Sequence, residues 1–318
     1  MKTEYKYGFV ILILVSIAII YIELVKSKNN LVTPKLSDRT KIINTGYPDD
    51  IREYLRRPGA FVTIDNYYSI IDSNRPDIME ILLGEFNLDP DLSFKYELST
   101  PLLHAARTLR PEIVSILIKY GASVNYQDPY GVTPLIAASY TVHKFKKRLS
   151  LKVTQLLVEA GADISIVSKY GKTAIEGALF SDDLVRVKYL VENGGDIHHL
   201  NPSGANYMFY CDELECFEFF LSQGFDINST DSDGRSIFQA VHYLGTPLNT
   251  TKQLLDWGAD ICHLDDSGDS VLIYVERQRA GVHDQTERPE YYKRLVDQNR
   301  KSETYQYLAE AYHSKCTE

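Results

Sequence analysis

LLVEAGADI, residues 156–164, and LLDWGADI, residues 254–261, are two copies of one pattern in this chain. Each copy has apolar residues at helical spacing, followed by a glycine, an alanine, an aspartate and an isoleucine. A glycine in this position ends a helix, because it readily adopts a left-handed backbone conformation. The glycine recurs five times, as Gly121, Gly161, Gly194, Gly224 and Gly258. Its intervals of 40, 33, 30 and 34 residues indicate a chain built from repeats.

A second motif opens each repeat. Threonine and proline precede an apolar run at residues 100–102 and 133–135, and weaker copies begin at Thr173, Ser236 and Ser270. Threonine or serine caps a helix start, and proline fits the first helical turn. A turn glycine lies two residues ahead of most copies: Gly131, Gly171, Gly204, Gly234 and Gly268. One repeat is therefore a turn, a helix, a short turn and a second helix.

These motifs resemble those of the ankyrin-repeat family over residues 65–275. The signature is a period near 33, T-P-L before the first helix, and L-L-x-x-G-A-D-I after the second. Two departures are His104, one place later than the family's histidine, and Ala205-Asn206, where Thr-Pro is expected. The resemblance implies an all-α solenoid of helix-turn-helix units that binds proteins through its finger turns and inner helices, without catalysis.

The resemblance also divides the chain. We count five clear units after a degenerate one at about residues 65–90. Residues 276–318 are predicted to form a polar C-terminal helical cap, with a helix over 289–312. Because no unit can bury its own apolar face, neighbouring units must stack.

The first residues of the chain predict a membrane anchor. After a short tail, residues 1–6, the stretch 7–22 contains no charge, and Leu24-Val25 extend it. We expect a transmembrane helix over residues 7–25, then a tether over 26–64 with a helical lead-in from Pro48 to Arg57. The alternative is a cleaved signal peptide, although residues 25–27 make a poor cleavage site.

The orientation of this anchor stays open. Lysine and arginine are more numerous on its C-terminal side, which favours a cytoplasmic repeat domain. A very short tail before an apolar run is, however, the usual layout of an export signal. The motifs and the simple anchor suggest a single-pass protein of a bacterial inner membrane.

Composition narrows the classes of function. The 318 residues carry a formal net charge of -9, which argues against general nucleic-acid binding. Four cysteines are too few for a disulfide scaffold. Cys211 and Cys216 nevertheless flank one short turn and could form a disulfide in an oxidising compartment.

Acidic residues concentrate in the later repeats. Residues 201–275 hold 12 acidic and two basic residues, whereas residues 100–200 hold nine acidic and 12 basic ones. A patch for a basic protein partner would centre on successive finger turns, at Asp231, Asp233, Asp265 and Asp266. The alternative is a solvated surface that only maintains solubility.

Two further candidate surfaces lie in the earlier repeats. The second clear unit has seven extra residues, including Lys144, Lys146, Lys147 and Arg148, which could contact phosphate, lipid head groups or an acidic protein. Tyr130 and Tyr170 precede the turn glycines of successive units, with Tyr126 nearby, and tyrosine is frequent in interface hot spots. A tolerated surface insertion and mutual covering of the fingers are the respective alternatives.

Catalytic motifs are absent from the sequence. It has no phosphate-binding glycine loop, dinucleotide fingerprint, H-E-x-x-H, G-x-S-x-G or C-x-x-C. His198-His199 and Cys262-His263 lie two units apart, about 20 Å, too far to share one metal ion. We predict no cofactor, metal or small-molecule substrate. The hypotheses are a membrane scaffold, an inhibitor of a secreted toxin or lipase, and a lipid-active or enzymatic protein using residues 143–148.

Overall fold

The computed structural model describes residues 46–60, 62–92, 99–140, 146–244, 246–276 and 298–316. Across these ranges the chain is all-α, and the one bridge of β type is the isolated pair Thr230 and Ser236. The predicted tail 1–6, the membrane helix 7–25 and the first part of the tether lie outside the described residues. Among the helices that are described, none combines the length and the apolar character needed to cross a membrane.

The degenerate first unit follows a short lead-in helix. Its elements are α1 (Pro48–Arg56), α2 (Ile64–Asp72) and α3 (Pro76–Glu80), which continues into one π-helical turn (Ile81–Glu85). The Thr63 hydroxyl caps α2 by accepting a hydrogen bond from the Asn66 backbone N–H at 3.3 Å. This unit therefore starts as the later units do, although its sequence lacks the T-P-L motif.

The next three units have the predicted helix pairs. Their helices are α4 (Pro101–Arg107), α5 (Pro111–Lys119), α6 (Pro134–Ser139), α7 (Lys147–Glu159), α8 (Ala174–Phe180) and α9 (Leu184–Glu192). Thr100, Thr133 and Thr173 cap the first helix of each pair by accepting from the backbone N–H three residues on. The capping role predicted for the threonines is confirmed.

The unit at residues 201–228 has a weaker first helix. It contains only a 3₁₀ helix (Tyr207–Tyr210), followed by α10 (Leu214–Ser222). Asn206, not Ala205, takes the place of the capping threonine, and its side chain accepts from the Met208 N–H at 2.9 Å. The sequence-based match of Ala205 to the capping threonine of the other units was wrong by one residue. A disulfide between Cys211 and Cys216 closes the turn between the two helices.

The C-terminal end is closed by a helix outside the repeat pattern. The last elements are α11 (Ile237–Leu244), α12 (Leu248–Asp256), α13 (Val271–Glu276) and α14 (Glu303–Cys316). Helix α14 packs against α12 and α13, where Leu308 is fully buried. A disulfide from Cys262 to Cys316 joins it to the segment between α12 and the last finger turn. Residues 289–297 of the predicted cap helix lie outside the described ranges.

The helices stack in two layers. The first helices of successive units contact one another, as α6 contacts α4 and α8, and the second helices do the same, as α7 contacts α5 and α9. The core lies between these layers. The residue four places before each helix-ending glycine is buried in every unit: Leu117, Leu157, Leu190, Phe220 and Leu254. The repeating apolar position of the sequence is thus the repeating core position of the fold.

Hydrogen bonds also connect neighbouring units. The Asn125 side chain donates to the Gly161 carbonyl at 3.0 Å and accepts from the Asp163 N–H at 2.8 Å. Asn228 makes the same two bonds to Gly258 and Asp260. Gly161 can sit in this place because its φ of 87° belongs to the left-handed region. These bonds set the spacing of the units on the side where the fingers project.

The disulfide that holds α14 is expected to stabilise the fold strongly. Replacing Cys262 and Cys316 by serine removes a link across 54 residues, which should lower the free energy of unfolding by about 4 kcal/mol. The Cys211 and Cys216 link spans five residues, so its removal should cost about 2 kcal/mol. Urea unfolding of the two double variants measures both values. Equal losses would contradict the role given to α14.

Buried His242 should make stability depend on pH. Its Nδ1 donates to the Phe238 carbonyl at 2.6 Å, and burial lowers the pKa of the imidazole from 6.5 to about 4. Between these values the unfolded chain binds a proton that the folded chain does not. The free energy of unfolding therefore has its full value, with respect to this group, above pH 6.5. It falls by up to about 3 kcal/mol as the pH is lowered towards 4.

The variant His242→Gln provides the comparison. We expect it to be less stable than the parent at pH 7, but to lose less of its free energy of unfolding between pH 7 and pH 4.5. Urea unfolding at the two pH values gives this difference directly. An identical loss in both proteins would show that another group is responsible.

Candidate functional site

The finger turns are built by one side chain each. Asp128, Ser168, Asn201, Asp231 and Asp265 open successive fingers. In four of these five fingers the side-chain oxygen accepts from the backbone N–H two and four residues on, as Asp128 does from Tyr130 and Val132. In the fifth, Ser168 accepts from the Lys172 N–H at 3.0 Å. The turn is thereby closed without the tip residues, whose side chains are free to face solvent.

The fingers are also bonded to one another. The backbone N–H of Lys169 donates to the Tyr130 carbonyl at 2.9 Å, and Ser232 donates to Ser203 at the same distance. Asp266 donates to Asp233 at 3.2 Å. Pro202 occupies the equivalent donor position and has no N–H, so the Tyr170 carbonyl receives no such bond from that finger. Adjacent fingers therefore form one edge of the molecule, which we call the finger edge (residues 127–131, 167–171, 200–204, 230–234 and 264–268).

The structure brings two of the predicted tyrosines together on this edge. The rings of Tyr130 and Tyr170 stack at 5.9 Å between centroids, with 27° between their planes. They stay 47% and 62% exposed, respectively. Tyr126 is half-buried at the start of its finger. Stacking covers part of each ring, yet it also holds a large aromatic surface in a fixed position towards solvent.

An apolar row beside the tyrosines was not predicted. Val167, Leu200 and Leu264 each lie directly before the residue that opens the turn, and all three are exposed. Together with Tyr130 and Tyr170 they are five of the nine large exposed apolar side chains in the described residues. The sequence contains a signal for this row: Val167, Leu200 and Leu264 each occupy the position directly before the turn residue of their finger.

The predicted acidic patch divides into two kinds of residue. The Asp231 side chain is 1% exposed, and it holds its own turn and the Arg235 guanidinium at 2.8 Å. Asp265 is half-buried and accepts from the Tyr274 hydroxyl at 2.6 Å. Burial, together with this carboxylate, raises the pKa of Tyr274. Asp233 and Asp266 are exposed in adjacent fingers and remain available to a partner.

The basic insertion is partly helical. Lys144 lies outside the described residues, Lys146 and Arg148 are exposed, and Lys147 begins α7. The Lys147 ammonium donates to the Asp182 backbone carbonyl and lies 3.3 Å from its carboxylate. This residue therefore fastens the insertion to the next unit. Part of the extra sequence lengthens α7 to 13 residues, whereas α5 and α9 have nine.

The residue pairs considered for a metal have other partners. Cys262 is in a disulfide, and His263 places its Nε2 at 2.7 Å from the Gly234 carbonyl. The His198 ring stacks on Phe225 at 5.1 Å. Within the described ranges, no three histidine, cysteine, aspartate or glutamate residues come together as a metal site would require.

A buried carboxylate lies in the first turn of α8. Glu176 is 2% exposed and takes the place that leucine and isoleucine fill in the two preceding units. It accepts from the Lys172 ammonium at 2.6 Å and from the Tyr210 hydroxyl at 2.9 Å. Burial, and then the charge of Glu176, raises the pKa of Tyr140 beside it. These bonds satisfy the carboxylate, so the group has a structural role in joining two neighbouring units.

A second buried polar contact joins two units at their opposite edge. Arg186 is 1% exposed and donates to the carbonyls of Ala138 and Ser139, both at 3.2 Å. Its Nε lies 3.6 Å from the Asp183 carboxylate. Burial lowers the pKa of the guanidinium to about 10, although Asp183 opposes the shift. The arginine therefore satisfies the backbone carbonyl groups at the C-terminal end of α6. This role is structural.

Comparison with known families identifies the repeats. A family model described as ankyrin repeats, three copies, matches residues 68–168. A putative ankyrin repeat protein of Borreliella burgdorferi is 32% identical over 122 residues, which is 38% of this chain and 50% of that protein. The chain spans half or less of the length of the curated relatives that it matches first.

Solved structures share the fold. The ankyrin repeat domain of human ASB11 superposes with a TM-score of 0.59 at 17% identity, covering 76% of this chain and 96% of that domain. A chain from the complex of a Bdellovibrio bacteriovorus predatory endopeptidase with an immunity protein gives 0.52 at 20% identity, covering 67% and 99%. At such identities the likeness concerns the fold alone.

The family therefore rests on agreement between sequence and architecture. The family model matches part of the array, and the same caps, turn residues and helix-ending glycines continue through the units that follow it. The two-layered stack is the arrangement of the solved ankyrin domains. The described part of the chain is therefore an ankyrin-repeat solenoid.

Proposed function

We propose that this chain is a non-catalytic module that binds a protein partner along the finger edge. The observation that carries the proposal is the stacked, exposed pair Tyr130 and Tyr170. Tyrosine offers a large contact area with few rotatable bonds, and it is enriched among residues that dominate binding energy. The bonded fingers hold this pair in position before a partner arrives, which lowers the entropic cost of binding.

The apolar row supports the same surface. Val167 and Leu200 flank Tyr170 on its own finger and on the next one. Isolated exposed apolar residues are common on any protein, but aligned ones on one edge are typical of contact sites. At the C-terminal end of this edge, Asp233 and Asp266 supply negative charge, which favours a partner that is basic there.

The N-terminal segment suggests where such binding takes place. The uncharged stretch 7–22 supports a single-pass anchor in a bacterial inner membrane. An anchor and a tether would keep the finger edge close to the bilayer and raise its effective concentration for partners at the membrane. In this form the protein is a membrane scaffold or recruiter.

The cysteines favour a second candidate, an exported inhibitor of a toxin or lipase. All four cysteines of the chain are paired, in two disulfides. Disulfides persist in oxidising compartments and are rare in the cytosol. One solved structure of similar fold comes from a complex between an endopeptidase and an immunity protein, which is compatible with this role.

The lipid-active or enzymatic hypothesis receives less support. It depends on the basic residues of 143–148, and among the described ones Lys147 is engaged by Asp182. Lys146 and Arg148 are exposed, and Lys144 lies outside the described residues. Even the three together are fewer than the cations of a polybasic cluster that binds an acidic membrane.

A photoreactive amino acid tests the finger edge. Placed at Tyr130 or Tyr170 in the producing cell, it should crosslink one defined protein. The same group at Tyr47, which directly precedes α1 and is 79% exposed, should not. The double variant Tyr130→Ala, Tyr170→Ala should weaken binding of the captured partner by about tenfold or more. Tyr47→Ala is the matched control. Unchanged binding by the double variant would contradict the proposal.

Protease accessibility distinguishes the two candidates. For an exported inhibitor, protease added to cells with a permeabilised outer envelope and an intact inner membrane should digest the repeat domain. A cytoplasmic marker should survive the same treatment. Protection of the repeats until the cells are lysed would exclude the inhibitor and leave the cytoplasmic recruiter.

A further inference from the structure

A cavity of about 310 Å³ opens on the second clear unit, and its lining includes residues of the units before and after it. Its wall is apolar and comprises Val132, Ile136, Ala137 and the Tyr140 ring. Arg107 and Lys172 complete the lining. Sites for whole small molecules occupy roughly 300–1,000 Å³, so this one is at the lower limit and suits a single side chain.

The cavity continues the finger edge. Val132 follows Tyr130 by two residues, and Lys172 follows Tyr170 by two, so both lie at the base of the stacked pair. Ile136, Ala137 and Tyr140 belong to α6 or to the residue that ends it. A protein that covers the tyrosines therefore meets the cavity directly below them.

The two cations differ in their freedom. Lys172 is held by the Glu176 carboxylate at 2.6 Å, and its ammonium lies 5.8 Å from the Tyr140 ring centroid. Arg107 is exposed at the end of α4 and forms no ion pair with any residue in the described ranges. The charge of Lys172 is offset by Glu176, whereas that of Arg107 is not, so the cavity carries a net positive charge.

The units around the cavity also carry a net positive charge. Residues 100–200 contain 12 basic and nine acidic residues, in contrast to the acidic units after them. A guanidinium next to an apolar wall recognises a carboxylate well, because it presents several donors in a fixed plane. An unpaired cation of the partner would be repelled there.

We propose that this cavity selects partners that present an apolar side chain followed by a carboxylate. The apolar group fills the space against Ile136 and Ala137, and the carboxylate pairs with Arg107. The inference rests on the proposed function, since it names one element that the finger-edge partner carries. It also implies that the partner carries both kinds of charge. The partner would be acidic opposite the cavity and basic opposite Asp233 and Asp266.

Short peptides test the cavity without knowledge of the partner. The probes are two capped peptides in a glycine background, one with leucine followed by glutamate and one with leucine followed by lysine. Ligand-observed NMR with the purified full chain measures both dissociation constants. We expect the glutamate peptide to bind about tenfold more tightly than the lysine peptide.

Two variants assign that preference to the cavity. Arg107→Gln should abolish it, whereas Arg148→Gln, which removes an exposed cation on α7, should preserve it. Ala137→Leu should weaken binding of the glutamate peptide by filling the space. Retention of the native circular dichroism spectrum shows that each variant is folded.

The outcomes separate this inference from the proposed function. Equal affinities for the two peptides, no detectable binding of the glutamate peptide, or a preference that survives Arg107→Gln would each overturn the cavity proposal. None of these results affects crosslinking at Tyr130 and Tyr170. Conversely, failure of the tyrosine variants to weaken partner binding would remove the finger-edge function while the peptide preference could still be measured.

Discussion

The fold depends on the burial of each unit's apolar face by its neighbours. A helix pair of this length leaves one side of each helix apolar, and only the next unit can cover it. Leu117, Leu157 and Leu190 occupy the same place in three units, and all are fully buried. Stability is therefore a property of the stack, and each end of the stack needs a cover.

The two ends are covered in different ways. At the N-terminal side, α1 packs on α3 and carries buried Ile51 and Tyr54. At the C-terminal side, α14 is an element outside the repeat pattern, and the Cys262 to Cys316 disulfide holds it to the segment that follows α12. A covalent link is a direct way to keep a terminal helix in place when the repeat itself supplies no further neighbour.

Stacking through the helix layers frees the finger tips for recognition. Within one finger, the residue that opens the turn has a structural role, whereas the residue two places later faces solvent. Asp231 closes its turn and is buried, whereas Asp233, two residues later, is exposed. The same separation distinguishes Asp128, which builds a turn, from Tyr130, which lies at its tip. The tip side chains do not close the turns, so the turn itself places few demands on their identity.

Local patterns predicted the parts of the fold that local chemistry decides. Thr100 and Thr133 cap their helices, and Gly121 and Gly161 adopt the left-handed backbone that their positions required. Long-range pairing was beyond such patterns. The partner of Cys262 lies 54 residues away on a helix that does not repeat, and Lys147 meets Asp182 only after two units stack. The stacked tyrosines were predicted only in part. Their equal positions in successive repeats predict that the two residues are neighbours, but not that their rings stack.

Hydrogen exchange of the chain, alone and in complex with its partner, is the most direct measurement of the central claim. The account predicts that the partner slows exchange in the finger segments 127–131, 167–171 and 200–204, and at the base of the cavity around residue 132. The second helices α5, α7 and α9 should exchange equally in both states. Protection confined to those second helices, with unchanged fingers, would contradict the assignment of the finger edge as the binding surface.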